Sequence, residues 1–281
     1  LTNGLIEALE AFGSDEQKEM YLPKLATGEW TGTMCLTEAH SGTDLGLLST
    51  KAEVHGDHYK LTGTKIWITW GEHGLSENII HLVLARLPDA PAGIKGISTF
   101  IVPKFLPDGS RNPITCTGLE HKMGIHGSPT CVMSLEGAEG WLVGEPHKGM
   151  RTMFIMMNAA RLSVGLEGVA LSEISYQTAV EFAKDRKQSR ALDKNKRDPE
   201  SKADNILVHP DVRRMLLNVR STTEGLRALG MWIGILIDQS HHHPDEKRRG
   251  WCDDMVALLT PVIKAFGTER GFWNISEAMQ V

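Results

Sequence analysis

Two short stretches of the 281-residue chain carry side chains whose types and spacing could do chemistry. The first is Met34-Cys35-Leu36-Thr37-Glu38-Ala39-His40-Ser41-Gly42-Thr43-Asp44-Leu45-Gly46, a short strand pattern that runs into a loop dense in hydroxyls, glycine and backbone donors. Such a loop can cradle the edge of a flavin and its pyrophosphate; the same composition also makes an ordinary Asx or Ser turn after a strand. The second is Lys65-Ile66-Trp67-Ile68-Thr69-Trp70-Gly71. A strand sends alternate side chains to opposite faces, so Trp67 and Thr69 are expected on one face and Ile66 and Ile68 on the other. A large aromatic plane beside a hydroxyl donor suits an isoalloxazine ring, and a plain aromatic core position is the alternative.

Other chemistries find no local support. The chain has no GxGxxG, no GxxxxGK followed by Ser or Thr, no HExxH and no GxSxG, which removes the common dinucleotide, P-loop, zincin and hydrolase signatures. His241, His242 and His243 are consecutive and precede Pro244, so their side chains diverge and a solvated helix end is expected, with no metal. The four cysteines, Cys35, Cys116, Cys131 and Cys252, lack the spacing of a secreted disulfide scaffold and point to a reducing compartment. A net charge of -5 from 30 basic and 35 acidic residues, mixed along the chain, favours small-molecule partners over nucleic acid or an anionic membrane. The apolar run Leu229 to Ile237 is far shorter than the roughly 20 residues of a bilayer span, so a soluble protein with no membrane span is expected.

The elements that must position the two stretches are legible in outline. Ser14 and Gln17 have capping-box spacing for a helix that Thr27-Gly28 ends. From Trp30 to about Val143 the pattern is one of short antiparallel strands and turns, among them His58–Leu61, Lys65–Thr69, Ile79–Leu84, Ser98–Val102 and Cys131–Leu135. Thr62-Gly63-Thr64 reads as the hairpin loop between the first two. After Gly149 a helical period runs to about Arg186, interrupted by Gly165 and Gly168, which make sense where another backbone packs closely. A second long helix opens at Pro210-Asp211 and a third at Thr260-Pro261, with proline at the first helical position. Between the first two lies a solvated loop, Lys187 to Asn205. Both chain ends read as truncated, since Leu1 and Val281 fall inside helical patterns. The fold class expected is α+β: residues 1–29 as a fragment of an N-terminal helical domain, 30–146 as an antiparallel β-barrel or sandwich middle domain, and 147–281 as an incomplete α-helical bundle.

Taken together, the two stretches resemble the acyl-CoA dehydrogenase family, in which a Cys-x-Thr-Glu-x-x-x-Gly-Ser/Thr-Asp pattern precedes Lys-x-Trp/Phe-Ile-Thr. The likeness continues through Gly96 to Pro103, Lys122-Met123-Gly124, Leu142-Val143-Gly144, Gly149, Arg161 and Asp185-Arg186-Lys187. Thr31-Gly32-Thr33-Met34, His209 to Arg214 and Leu259 to Lys264 are similar to the larger bacterial branch that includes 3-(methylthio)propanoyl-CoA dehydrogenases. Ala39, His40, Trp70 and Ser189 depart from the commoner family pattern.

The resemblance implies a flavoprotein that dehydrogenates an acyl-CoA between Cα and Cβ, uses FAD, and passes electrons to electron transfer flavoprotein. It implies that Met34, Leu36 and Thr37 line the flavin, Gly42 and Thr43 lie near pyrophosphate and thioester, Trp67 packs on the ring and Thr69 donates towards N5. Arg161 would sit near the acyl-CoA, and Arg186 and Gln188 would reach the FAD of a neighbouring subunit in a homodimer or homotetramer. Of the family's two locations for the proton-abstracting glutamate, one is occupied here by Ala160; the other would follow Val281, so no catalytic base is expected in this chain. A bacterial cytoplasmic enzyme is the expectation, with an acyl-CoA oxidase or a non-catalytic flavin or acyl-CoA binding module as alternatives.

Overall fold

The computed structural model describes residues 1–281, which divide into two compact units, Leu1–Ala159 and Ala160–Val281. The first unit opens with helices α1 (Thr2–Phe12) and α2 (Asp15–Thr27). The start of α2 is the reciprocal cap that the spacing predicts: the Gln17 amide donates to Ser14 Oγ and the Ser14 amide to Gln17 Oε1. It stops at Gly28, whose left-handed φ of 80° is the usual helix terminator.

Seven strands follow: β1 (Trp30–Cys35), β2 (Lys51–His55), β3 (His58–Thr69), β4 (Asn78–Arg86), β5 (Ile97–Pro103), β6 (Ile114–Leu119) and β7 (Thr130–Leu142). One edge of β4 pairs with β5. Along its other edge runs β1, in parallel, and past the end of β1 Lys51 of β2 pairs with Arg86. β2 then pairs with β3, β3 with β7, and β7 returns to β5 through Ile101–Trp141 and Phe100–Leu142. The ladder β4-β2-β3-β7-β5 closes on itself, with β6 seated on the remaining edge of β7. The expected barrel is present, but mixed rather than antiparallel throughout. β1 reaches β4 by a long crossover through β2 and β3, and such a connection permits parallel pairing where a hairpin does not.

β4 is buried along both faces. Ile80, Leu82 and Leu84 pack into a core with Leu5, Leu9 and Leu25 of the two helices, while Val83 and Ala85 join Phe100, Leu61 and Leu135 in the other core. This is why β4 reads as an unbroken apolar run instead of an alternating one.

Two turn signals mean something else in three dimensions. His58–Leu61 and Lys65–Thr69 belong to one strand, and the hairpin lies instead at Gly56-Asp57, where Gly56 takes φ 67°. Gly63 is a glycine for a different reason: a Cβ there would lie 2.4 Å from Thr50 Oγ1, so it admits Thr50 against the strand. Likewise the helix expected to open at Thr260-Pro261 opens earlier. α5 (Glu246–Ala278) is capped by Asp245, which accepts the Lys247 amide at 3.0 Å, and Pro261 lies inside it. The proline removes one backbone donor, yet the helix continues because Cys252, Ile263 and Gly267 on either side are all buried.

α3 (Gly149–Asp185) runs through both units, and α4 (Pro210–His242) begins at the expected proline. In the second unit α3 and α5 touch backbone to backbone: a Cβ on Gly168 would fall 2.2 Å from Gly267 O. Residues 187–205 are organised around Asp204, which is 2% exposed and accepts the amides of Ala191 and Asp198, each at 2.7 Å. By length and composition alone α3 could cross a membrane, its best window having mean hydropathy 1.3, a property that the shorter run Leu229–Ile237 does not have. One such helix is weak evidence for a span, because core helices pass the same test.

Gly168→Ala should lower the urea midpoint of unfolding by the equivalent of about 1–3 kcal/mol, since the added methyl must displace backbone. Gly225→Ala on α4, with open space where the Cβ would go, should raise stability by about 0.5–1 kcal/mol in the same assay.

Candidate functional site

The chain leaves the barrel at Cys35 and makes a tight turn in which Glu38 and Ser41 exchange two backbone hydrogen bonds of 3.0 Å, with Ala39 and His40 at its tip. Ser41 Oγ donates to Asp44 O at 2.9 Å, and the Asp44 carboxylate accepts the Gly46 amide at 3.1 Å. The loop is fastened at its two ends by one side chain. Glu38, 3% exposed, accepts the amide and hydroxyl of Ser49 on Oε2, both at 2.7 Å. On Oε1 it accepts the Thr50 amide at 3.0 Å, the Thr50 hydroxyl at 2.6 Å and Lys65 Nζ at 2.8 Å.

Lys65 is fully buried, and its ammonium also donates to Leu36 O at 3.0 Å. The next residue, Ile66, donates its amide to Thr37 O at 2.9 Å. Two consecutive residues of β3 therefore hold three consecutive acceptor residues, Leu36 to Glu38, at the root of the loop. Burial alone would push the Glu38 carboxyl up; the Lys65 charge and the hydrogen bonds from Lys65, Thr50 and Ser49 outweigh it and hold the pKa at about 2. Burial pulls Lys65 down from its ordinary value, and the Glu38 carboxylate opposes that.

Immediately beyond this grip the strand is strained. The β3–β7 register shifts between Lys65 and Ile68, and Trp67 and Trp70 take left-handed φ values of 62° and 59°. A bulky side chain in that region is a genuine outlier, of order 1–3 kcal/mol, and persists only where its surroundings impose it. The bulge modifies simple alternation. Trp67 and Thr69 are exposed, as expected of one face, Ile68 is buried and Ile66 only half-buried. Arg86 braces the far side of the loop by donating to four backbone carbonyls: Leu48 at 2.9, Gly46 at 2.5, Gly93 at 2.9 and Pro91 at 3.1 Å.

Of the residues proposed from the sequence, Thr37 is bonded through its carbonyl to Ile66, the residue that precedes Trp67 on the strand. Thr69 follows on the same strand, and Gly42 and Thr43 lie exposed on the fastened loop. Met34 is half-buried against the helix-side core and Leu36, 8% exposed, belongs to it. The hydroxyls of Thr37, Thr43 and Thr69, the indole N–H of Trp67 and the amides of Gly42 and Thr43 make no hydrogen bond within the chain. An exposed aromatic plane on the strand, with unengaged donors on the strand and on the loop bonded to it, fits a flat, polar-edged cofactor. Neighbouring titratable groups are unsuited to reaction: burial pushes Cys35 up to about 11 and His81, bonded to Thr33 at 2.7 Å, down to about 3.

Arg161, Arg186 and Gln188 lie in the second unit. Arg161 is on α3 and engaged; Arg186 and Gln188 are exposed just past its end, where Gln188 donates its amide to Asp204 O at 2.9 Å and accepts from His209 Nε2 at 2.8 Å. Sequence reasoning quoted Glu38 and Lys65 only as motif letters and did not single out Arg86. The available signal was a charge embedded in an apolar strand pattern, at Lys65, and at the end of the continuous run before Arg86.

Residues 33–138 match the family model described as the acyl-CoA dehydrogenase middle domain. Over its full length the chain is 50% identical to the 3-methylmercaptopropionyl-CoA dehydrogenase of Ruegeria pomeroyi, covering 48% of that protein. It is 40% identical to a butyryl-CoA dehydrogenase of Syntrophomonas wolfei, again covering 100% of the chain and 48% of the relative. The chain thus spans about half the length of these curated relatives. Among solved structures, an acyl-CoA dehydrogenase of Bacillus anthracis complexed with FAD superposes with a TM-score of 0.79 at 26% identity, over 98% of this chain and 45% of that one. The Caenorhabditis elegans protein ACDH-11, in complex with C11-CoA, shares the fold with a TM-score of 0.85 at 20% identity, over 99% and 46%.

Because the folded pKa of Glu38 lies below its unfolded value, its contribution to stability is complete above about pH 4.5 and is lost as pH falls towards about 2. The stability gap between wild type and Glu38→Gln should therefore narrow by about 3 kcal/mol when urea unfolding is followed from pH 6 down through that window. A gap that does not change with pH would show that the folded pKa of Glu38 is the same as its unfolded value, and a gap that widens as pH falls would show that burial raises it.

Proposed function

We propose, because the chain belongs to the acyl-CoA dehydrogenase family, that the protein carrying it dehydrogenates an acyl-CoA thioester between Cα and Cβ with FAD in the first unit. The observation that carries this reading is the exposed, strained Trp67 one residue beyond Ile66, which bonds to Thr37 of a loop that Glu38 and Lys65 hold in place. Trp67 would pack against the isoalloxazine, Thr37 and Thr69 would donate to its polar edge with Met34 and Leu36 behind, and Gly42 and Thr43 would offer amides to the pyrophosphate. Bound FAD would supply the electron acceptor for Cβ as Cα loses its proton, and the fastened loop would exclude water from that exchange.

Thr43 and Arg161 are assigned to the thioester substrate, and Arg186 and Gln188 to the FAD of a neighbouring subunit in a homodimer or homotetramer. The proton-abstracting carboxylate is placed outside residues 1–281. Ala160, beside Arg161, has a methyl group that cannot accept a proton, and Glu173 is committed to Gln177 at 2.8 Å and Arg227 at 2.6 Å. Those two hydrogen bonds lower the Glu173 pKa, the opposite of what a base for a weak carbon acid needs. The division into residues 1–29, 30–146 and 147–281 is retained as the proposed domain order, in a cytoplasmic enzyme. The acyl groups in the relatives' names, 3-methylmercaptopropionyl and butyryl, are short and unbranched, and a short acyl chain is proposed here.

Purified protein incubated with FAD and freed of excess should retain flavin absorbance, and a protein extended through the base should bleach on addition of a short acyl-CoA. Electron transfer flavoprotein should be reduced in preference to dioxygen; a stoichiometric peroxide yield would assign an oxidase instead. Residues 1–281 alone should hold flavin without turnover, and turnover by that piece would place a base within it. Trp67→Gly should separate stability from binding: relief of the left-handed strain should raise the urea midpoint by the equivalent of about 1 kcal/mol while FAD affinity falls. A variant that loses both, or neither, contradicts the role given to Trp67.

A further inference from the structure

We infer that the buried Lys65–Glu38 pair is a positioning device that sets the two sides of the cofactor site in register, Thr37 on the loop against Trp67 on the strand. The role rests on the flavin reading above but concerns residues that do not themselves face the cofactor. Its basis is connectivity. The Lys65 ammonium bonds to Leu36 O at 3.0 Å and to the Glu38 carboxylate at 2.8 Å, the residues on either side of Thr37, and Ile66 takes Thr37 O itself at 2.9 Å. No backbone ladder does this work. β1 ends at Cys35, so Leu36 to Glu38 lie beyond its pairing with β4, and Ile66 and Trp67 fall in the register shift where β3 has no partner on β7.

The same carboxylate reaches back to Ser49 and Thr50, so the exposed segment carrying Gly42 and Thr43 is closed by the group that holds Thr37. Gly63 belongs to this arrangement, since its missing side chain leaves the space that Thr50 occupies. Fully buried charges of opposite sign have sharp geometric requirements, because each must keep its hydrogen bonds to remain tolerable out of water. That sharpness suits a device whose task is alignment. A neutral apolar pair in its place could pack as well and would leave the single Ile66–Thr37 backbone bond to set the loop against the strand.

The deciding measurement is a property of each bound flavin, not the amount bound. Wild type and Lys65→Met are titrated with FAD, bound FAD is counted by ultrafiltration, and the quenching of flavin fluorescence and the visible circular dichroism are expressed per bound molecule. Lys65→Met should bind FAD at least about tenfold more weakly. At saturation, quenching and dichroism per bound flavin should both fall well below wild type, because the ring no longer sits in register with Trp67. If Lys65→Met does not fold, judged by its far-ultraviolet spectrum and a cooperative melt, the double variant Glu38→Gln with Lys65→Gln takes its place. It keeps polar groups in the site but its shorter amide at position 65 cannot span both acceptors, and the same outcome is expected. Unchanged signals per bound flavin, with affinity lowered or not, would overturn the positioning role and leave the pair as a stability element. A wild type that retains no FAD would instead overturn the flavin reading, and this role with it.

Discussion

An ammonium and a carboxylate out of water are tolerable only together, and at Lys65 and Glu38 the fold has built a site around that requirement. Either charge alone would carry a desolvation penalty of several kcal/mol. Together they are satisfied across three separate parts of the chain: at the root of the loop the Leu36 carbonyl accepts from Lys65, at its far end the amides and hydroxyls of Ser49 and Thr50 donate to Glu38, and the strand β3 carries Lys65 itself. Removing one partner would leave the other buried and unpaired, so loop and strand are obliged to keep their relative position.

The barrel is the frame that makes this obligation possible. Its ladder closes, so β3 is held by β2 over His58 to Thr62 and by β7 on both sides of the register shift, and can carry a local bulge without sliding. The bulge in turn places Trp67 in a conformation it would not choose and leaves the ring exposed. Such strain persists only where the surroundings impose it, and here the register shift and the adjacent ion pair do so. Arg86 adds a second brace, satisfied wholly by backbone carbonyls, on the opposite flank of the loop.

The helical unit solves a different problem by different means. α3 and α5 approach through Gly165, Gly168 and Gly267, where absence of side chains lets carbonyls and backbone meet. The connection after α3 is fixed by a second buried carboxylate, Asp204, which gathers amides much as Glu38 does but with an arginine, Arg190, at 3.3 Å in the lysine's place. Both units thus secure irregular backbone by giving its unpaired N–H groups a carboxylate acceptor.

Local physics was enough for much of this. The capping box at Ser14, the terminator at Gly28, the first-position proline of α4, the apolar period of α3 and the strand texture of residues 30–143 depend on near neighbours, and each could be read from the residues in order. So could the two motifs, because a family likeness is itself a pattern in sequence. Only the tertiary structure decided that Gly63 serves a close approach and not a turn, that Pro261 lies within a helix, that β1 runs parallel to β4, and that Glu38 meets Lys65. Each of those depends on groups distant in the chain: Thr50 against Gly63, α3 against α5, a crossover of two strands, and a loop folded back on β3. A residue's propensity is a property of its own backbone, whereas the partner that overrides it is supplied by the closing of the barrel and the packing of the helices.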